Sequence, residues 1–274
     1  MTVRLLGTGS ADGWPNPFCT CASCTAQRAD GVLRGQTSAL VGPDLLLDPG
    51  PEAAAAATRL GVSLAGVRHV LVTHAHVDHV APQLLLFRSW ARDEPLDVVG
   101  PVPVLEEARR WVAPDAPVHF LPVSAGDLLT LGRHEVRVLP AAHQVAGPGD
   151  AVLYDVTSAG PGDGPGSRLL WACDTGPWPD AWLAAVEDAA FDVVLLEETF
   201  GLRDNLGADH LHLGTFAALV ADLRRVGAVT DATDVVAVHL SHHNPAEAEL
   251  VERLRRTGAR PGRDGDLLVP RDVR

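Results

Sequence analysis

Apolar residues along this chain fall into two repeating patterns. Short runs rich in leucine and valine predict strands, and longer stretches with apolar residues three and four positions apart predict helices. Because early strands follow one another closely whereas later ones alternate with helices, we expect a mixed α/β fold. The predicted strands are 3–6, 37–41, 45–47, 69–72, 136–139, 152–156, 169–172, 193–196 and 235–238, and the predicted helices are 52–60, 82–90, 104–112, 180–189, 215–226 and 246–256.

The domain organisation is predicted to be simple. The chain has 274 residues and 46% hydrophobic content, which can supply a sizeable core. The glycine-rich and proline-rich segment SAGPGDGPGS, residues 158–167, lies between two predicted strands and is interpreted as a hairpin tip. The sequence contains neither a recognisable linker nor a repeat of fixed period, so we expect a single domain over residues 1–274.

Composition narrows the classes of partner. The formal charge of -13 argues against binding a nucleic-acid polymer by neutralising its backbone. The first residues alternate as in a strand and do not resemble a signal peptide, and the sequence has no apolar run of membrane-spanning length. Three of the four cysteines crowd into residues 19–24, unlike a secreted disulfide framework. We expect a cytoplasmic protein with no membrane or nucleic-acid partner.

A histidine cluster follows one predicted strand. In THAHVDH, residues 73–79, the apolar run stops at Thr73, and a turn there would let His74, His76, Asp78 and His79 converge. Neutral imidazole and carboxylate are ligands of zinc and similar ions. The alternative is a polar loop that happens to be rich in histidine, but four ligand-type side chains at this spacing rarely arise that way. The cluster therefore predicts a metal site.

Three further ligand-type residues end later strands. His143, Asp174 and His239 each follow an apolar run. Taken singly, each is better explained as a capping residue or as a buried, hydrogen-bonded side chain. Their shared position after a strand favours a common site with the histidine cluster.

These positions resemble the metallo-β-lactamase superfamily, whose HxHxDH motif and later His, Asp and His ligands lie at strand ends. The resemblance implies a four-layer αββα sandwich with two metals at one edge between the sheets. LLLDPG, containing Asp48, is similar to the aspartate turn that orients the histidine loop in this superfamily. The resemblance assigns His74, His76 and His143 to one metal, Asp78, His79 and His239 to the second, and Asp174 to a bridging position.

A second cluster, CTCASC at residues 19–24, contains sulfur ligands. It is open to three interpretations, namely a redox pair, a disulfide remnant or a metal knuckle. Tight spacing of three thiolates suits tetrahedral coordination better than exchange chemistry. The fourth ligand has three candidates on these grounds: His242, His243 and Cys173.

A narrower resemblance concerns both ends of the chain. GTGSADGWPNPFCTCASC and HLSHH are similar to the phosphoribosyl cyclic phosphate phosphodiesterase family of the carbon-phosphorus lyase pathway. That resemblance implies a structural zinc held by Cys19, Cys21, Cys24 and His242. Asn244, followed by proline, instead resembles the pyrroloquinoline quinone biosynthesis B family, which lacks the full histidine motif. Because this chain retains the motif, we expect a hydrolase.

The resemblance also implies a mechanism. Two divalent metals, zinc or manganese, would activate a bridging hydroxide for attack on a phosphodiester. Asp78 and Asp174 would position this nucleophile, and His210 would protonate the leaving group. His212 is the second choice as proton donor, although capping of the following helix explains it slightly better.

The expected function is a phosphodiesterase acting on a small phosphoester, such as a linear or cyclic nucleotide or sugar phosphate. One alternative is hydrolysis of lactones, esters or thioesters by the same fold. Another is a non-catalytic metal-containing binding protein in cofactor biosynthesis. Analogy alone suggests a homodimer.

Overall fold

Two seven-stranded sheets form the centre of the computed structural model, which describes residues 1–160 and 166–270. The first sheet contains β1 (Val3–Gly7), β2 (Ser38–Val41), β3 (Leu45–Leu47), β4 (His69–Leu71), β5 (Leu96–Gly100), β6 (Val118–Pro122) and β14 (Leu267–Leu268). The second contains β7 (Leu128–Leu131), β8 (His134–Pro140), β9 (Val152–Ser158), β10 (Ser167–Ala172), β11 (Val193–Glu197), β12 (Asp234–Val238) and β13 (Ala259–Pro261). The helices are α1 (Ala22–Asp30), α2 (Ala53–Arg59), α3 (Gln83–Ser89), α4 (Val102–Arg109), α5 (Asp180–Leu183), α6 (Leu213–Arg225) and α7 (Glu247–Arg255).

Parallel pairing brings strand ends together. The first sheet runs β14-β1-β2-β3-β4-β5-β6 and the second β13-β12-β11-β10-β9-β8-β7. Strands β3 to β6 pair parallel with one another, as do β10 to β13, whereas β7 to β10 pair antiparallel. Parallel neighbours place their carboxyl ends at the same edge of a sheet. Residues that follow β4, β10 and β12 can therefore meet.

Three apolar cores define four layers. Buried residues such as Leu5, Tyr154 and Trp171 fill the space between the sheets. A second core packs the first sheet against α2, α3 and α4, and a third packs the second sheet against α5, α6 and α7. Helices thus cover the outer face of each sheet. This arrangement confirms the αββα sandwich implied by the sequence resemblance.

The nine predicted strands and five of the six predicted helices form with small shifts at their ends, and the sixth helix forms only in part. The structure adds α1 and the strands β5, β6, β7, β13 and β14. The predicted helix at 180–189 is wrong in its second half, where α5 passes into a 3₁₀ turn and leaves helical geometry at Glu187. The backbone N–H groups of Asp188 and Ala190 instead donate to carbonyls after α6.

The predicted hairpin is confirmed by its strands, since Ser158 of β9 lies opposite Ser167 of β10 in an antiparallel pair. Its tip, at residues 161–165, lies outside the described residues. Within residues 1–160 and 166–270, every helix is too short or too polar to cross a membrane.

Candidate metal centre

Left-handed backbone turns end three of the strands. Asp48 after β3, Asp174 after β10 and His239 after β12 have φ angles of 43°, 58° and 56°. Residues other than glycine seldom adopt these left-handed backbone angles, and the strain persists only where surrounding contacts hold the turn in place. The turns direct these polar side chains to the edge of the sandwich where the histidine loop follows β4.

One donor group gathers around His76. The Nδ1 atom of His76 lies 2.9 Å from His74 Nε2 and 3.1 Å from His143 Nε2. The Asp174 carboxylate joins them, with Oδ2 3.4 Å from His74 Nε2. Burial lowers the pKa of all three imidazoles, which keeps the rings neutral and their lone pairs available. The four predicted residues thus converge within ligand distance of one another.

A second donor group lies on the other side of Asp174. Asp78 Oδ2 is 3.2 Å from both His79 Nε2 and His239 Nε2. Asp174 Oδ1 is 3.2 Å from His239 Nε2, and its Oδ2 is 3.3 Å from His79 Nε2. Although burial opposes ionisation, the adjacent His79 lowers the pKa of Asp78 well below its usual range. The Asp174 carboxylate is therefore shared by both groups.

These donors fit divalent metal ions. His79 is 1% exposed; its Nδ1 lies 3.2 Å from Asp48 Oδ2, whereas its Nε2, which faces Asp78 and Asp174, has no hydrogen-bond partner. Leaving buried polar atoms unpaired costs about 1–3 kcal/mol per group. Imidazole nitrogens and carboxylate oxygens are the donors that zinc and related ions accept, so a cation between these atoms would satisfy His79.

Asp48 supports the histidine loop from below, as the sequence resemblance implied. Its carboxylate accepts hydrogen bonds from the backbone N–H and the hydroxyl of Thr73, at 2.7 and 3.0 Å, and from Trp171 Nε1 at 2.7 Å. The same turn requires Gly50, since a Cβ there would lie 1.8 Å from the Asp78 carbonyl oxygen. The loop that carries the donors is therefore packed directly against the DPG turn.

His210 lies beside the donor groups, with its ring centroid 4.9 Å from that of His143 and 5.6 Å from that of His239. Its Nδ1 is 2.9 Å from Glu197 Oε1. Burial disfavours the imidazolium, but the Glu197 carboxylate outweighs it and raises the pKa of His210 to about 9. His212 caps α6 by accepting from the Gly214 N–H, which confirms its capping interpretation.

Glu197 is a site residue that sequence reasoning missed. It is fully buried, and besides His210 it accepts a 2.6 Å hydrogen bond from the Thr199 hydroxyl. Thr199 Oγ1 is also 2.9 Å from His239 Nδ1. One carboxylate thus orients two imidazoles, directly and through a hydroxyl. The signal in the sequence was an acidic residue at the end of an apolar strand. Such a residue does not by itself indicate a functional site.

The cysteine cluster converges on one histidine. His242 Nδ1 lies 3.3 Å from Cys19 Sγ and 3.9 Å from Cys21 Sγ, and Cys24 completes the group. Burial disfavours the Cys21 thiolate, but hydrogen bonds from the Cys24 N–H and His242 outweigh it and lower the pKa of Cys21 to about 6. Cys173 lies with the second donor group instead. Of the three candidates for the fourth ligand, the structure brings His242 to the thiols.

The fold and the site define a class, an αββα protein with metal-ligand side chains clustered at one edge of its sheets. The model of the Beta-lactamase superfamily domain matches residues 44–260. The chain therefore belongs to the β-lactamase superfamily, as the histidine motif indicated. No curated protein matches the sequence.

Solved structures share the fold over nearly the whole chain. Zn(2+)-bound PqqB from Methylobacterium extorquens is 19% identical, with a TM-score of 0.77, over 98% of this chain and 100% of that chain. A diphosphatase from the PhnP family is 20% identical, with a TM-score of 0.74, over 98% and 97% of the two chains. Human tRNase Z, short form, is 16% identical, with a TM-score of 0.66, over 98% and 99%.

Proposed function

We propose that this protein is a dinuclear metal-dependent hydrolase, namely a phosphodiesterase acting on a small linear or cyclic nucleotide or sugar phosphate. The observation that carries the proposal is the shared position of Asp174, whose Oδ2 lies 3.4 Å from His74 Nε2 and 3.3 Å from His79 Nε2, so that one carboxylate contacts both histidine groups. In this proposal His74, His76 and His143 would hold one divalent ion, Asp78, His79 and His239 would hold the second, and Asp174 would be a ligand shared by the two positions. A separate structural zinc is held by Cys19, Cys21, Cys24 and His242.

The bound ions supply Lewis acidity, which lowers the pKa of water and stabilises charge on phosphoryl oxygens. Asp78 and Asp174 orient the nucleophilic water through their carboxylate oxygens. His210 protonates the leaving oxygen, because its Nδ1 is held by Glu197 and its Nε2 is directed away from that contact. Glu197 is a positioning residue, since it acts through His210 and Thr199.

A cleft beside His143 supports a small-molecule substrate. It has a volume of about 500 Å³ and is bordered by Gln144, Gly149, Trp182 and Asp209. Sites for small molecules typically measure roughly 300–1,000 Å³. Among the described residues that line it there is no arginine, and Asp209 is the one carboxylate. The cleft therefore favours a neutral ring, such as a nucleobase, over a second phosphate.

The first experiment is turnover of bis(p-nitrophenyl) phosphate by protein loaded with zinc or manganese. We expect activity that is lost in His76→Ala, because that ring contacts both of its histidine partners. Hydrolysis of lactones or thioesters without phosphodiesters would favour the ester-hydrolase alternative. Stable metal binding with no turnover of any ester class would favour a binding protein.

The leaving group provides a sharper test of His210. Expulsion of an alkoxide needs a proton, whereas p-nitrophenolate is stable without one, and a positioned general acid contributes about 10²–10⁴-fold. His210→Ala should therefore reduce kcat on a 2′,3′-cyclic nucleotide by at least about 100-fold and on bis(p-nitrophenyl) phosphate by much less. Glu197→Gln should show the same contrast more weakly. Equal losses on both substrates would show that His210 has only a structural role.

A further inference from the structure

The thiol of Cys173 lies beneath the second donor group. Its Sγ is within 4.8 Å of the ligand atoms of His79, Asp174 and His239, and 3.7 Å from Asp174 Oδ1. The residue is fully buried and belongs to the core between the sheets. A buried cysteine often serves only as a small apolar side chain, so its position alone does not establish a ligand.

The backbone explains why adjacent side chains reach one place. Along β10 the side chains alternate, with Trp171 in the inter-sheet core and Ala172 in the core beneath the outer helices. Cys173 continues this alternation inward, and Asp174 would face outward on a regular strand. The φ angle of 58° at Asp174 ends the alternation, and both side chains therefore approach the donor group.

An independent observation points to a cation at this place. His79 is buried, and its Nε2 has no hydrogen-bond partner although it lies 3.2 Å from Asp78 Oδ2 and 3.3 Å from Asp174 Oδ2. The Cys173 thiol donates a hydrogen bond to Asp174 Oδ1 at 3.7 Å, and this distance also fits two ligands of one ion. With metal bonds of about 2.3 Å to sulfur and about 2.0 Å to oxygen, two ligands of a tetrahedral ion lie about 3.5 Å apart.

We propose that Cys173 is a further ligand of the metal position formed by Asp78, His79 and His239, and that its sulfur makes this position selective for thiophilic ions. The inference rests on the dinuclear site of the proposed function. On binding, the thiol proton passes to solvent and a metal–sulfur bond forms, with no change of oxidation state. Thiolate ligands select zinc over manganese, whereas the three histidines of the other position accept either ion.

Cobalt substitution of the full chain tests the ligand directly. A thiolate bound to Co²⁺ gives near-ultraviolet charge-transfer absorption. The cysteine cluster contributes equally to wild type and Cys173→Ser, so the difference between the two spectra reports on Cys173 alone. We expect the variant to lose about a quarter of this absorption, since three of four coordinating thiolates remain. Its zinc should exchange for manganese at least about 10-fold more readily. An unchanged spectrum together with unchanged exchange would overturn the proposal and leave Cys173 as a packing residue.

A measurement on the wild type avoids dependence on the folding of a variant. Loaded with ¹¹³Cd²⁺, the protein should show two sulfur-ligated cadmium resonances, one from the cysteine cluster and one from the Cys173 position. A single sulfur-ligated resonance beside bound nitrogen-ligated and oxygen-ligated cadmium would contradict the inference about Cys173 only. Failure to bind any ion at the histidine groups would instead contradict the proposed function.

Discussion

Asp48 shows at the level of single residues how the site depends on side chains that touch no substrate. Its buried carboxylate accepts from Thr73 and Trp171 and lies 3.2 Å from His79 Nδ1. Partners behind a metal ligand fix its orientation, and their removal typically costs 10–100-fold in metal affinity. The DPG turn is therefore as important to the donor geometry as the histidines.

Asp48→Asn should weaken metal binding at the histidine groups by about 10–100-fold, because an amide cannot accept all three hydrogen bonds. Titration against a competing chelator measures this change. The control is Asp97→Asn, which removes a carboxylate that contacts His69 and His119 at the opposite end of β4. Equal effects of the two substitutions would contradict the assigned role of Asp48.

Glu198 follows Glu197 directly but has the opposite surroundings. It is fully buried, and neither carboxyl oxygen has a hydrogen-bond partner. Burial, reinforced by the charge of Glu197, raises the pKa of Glu198 well above its ordinary value. The folded state thus retains a proton that the unfolded chain releases above about pH 4.5. The contribution of this group to stability is full below that pH and is lost as the pH rises.

Glu198→Gln should therefore raise the free energy of unfolding at pH 8 by about 1 kcal/mol or more, with the gain vanishing near pH 4. Denaturant unfolding at the two pH values gives the comparison. Glu106→Gln, on the exposed face of α4, is the matched control and should change neither value. Destabilisation by Glu198→Gln at pH 8 would show that an ionised carboxylate is required.

The ligand residues were predictable from sequence because each combines a metal-binding side chain with a position after an apolar run. His74 and His239 fit that description. Glu197 does not, because its role depends on His210 and Thr199, which approach it only through the fold. Contacts of this kind leave no local pattern in the chain.

At the level of elements, a buried ion pair joins the segment between α1 and β2 to the start of α7. Arg34 Nη2 lies 2.8 Å from both carboxylate oxygens of Glu247, while Nη1 is 3.2 Å from Thr8 Oγ1 and donates to the Gly262 carbonyl. The Arg34 side chain is fully buried and that of Glu247 is 12% exposed. Removing one partner of such a pair leaves an uncompensated charge, at a cost of about 3–5 kcal/mol.

Glu247→Gln should lower the free energy of unfolding at pH 7 by about 3 kcal/mol. Although burial opposes ionisation, Arg34 lowers the pKa of Glu247, so this stabilisation is present above about pH 4.5 and is lost as the pH falls further. Denaturant unfolding at pH 7 and pH 3 measures both effects. Glu252→Gln breaks the exposed ion pairs with Arg255 and Arg256 at the end of the same helix and should cost far less than Glu247→Gln, because solvent screens exposed charges. Equal losses would argue against burial as the cause.

The elements missed from sequence share a physical reason. Helix α1 buries only Cys24 and Gln27, so it has little apolar periodicity, and its first turn is capped by the Cys21 side chain. The strands β13 and β14 have three and two residues. They form because β12 and β1 supply hydrogen-bonding partners, and such pairing across the chain is invisible to a local pattern.

At the level of the whole molecule, the two sheets bring together donors that are far apart in sequence. His76 and His143 come from opposite sheets, and Asp174 and His239 follow β10 and β12, the two strands on either side of β11 in the second sheet. The sandwich could be predicted because the histidine motif resembles a known superfamily. The contacts between the sheets, such as Trp171 with Asp48, required the structure.

Metal ions at these donors are the central requirement of the proposed function. Elemental analysis of natively purified protein, and of protein reconstituted with zinc and manganese, tests this most directly. We predict about three divalent ions per chain, two at the histidine groups and one at the cysteines, with fewer in His76→Ala and one fewer in Cys19→Ser. A wild-type chain that holds no more than one ion after reconstitution would contradict the account.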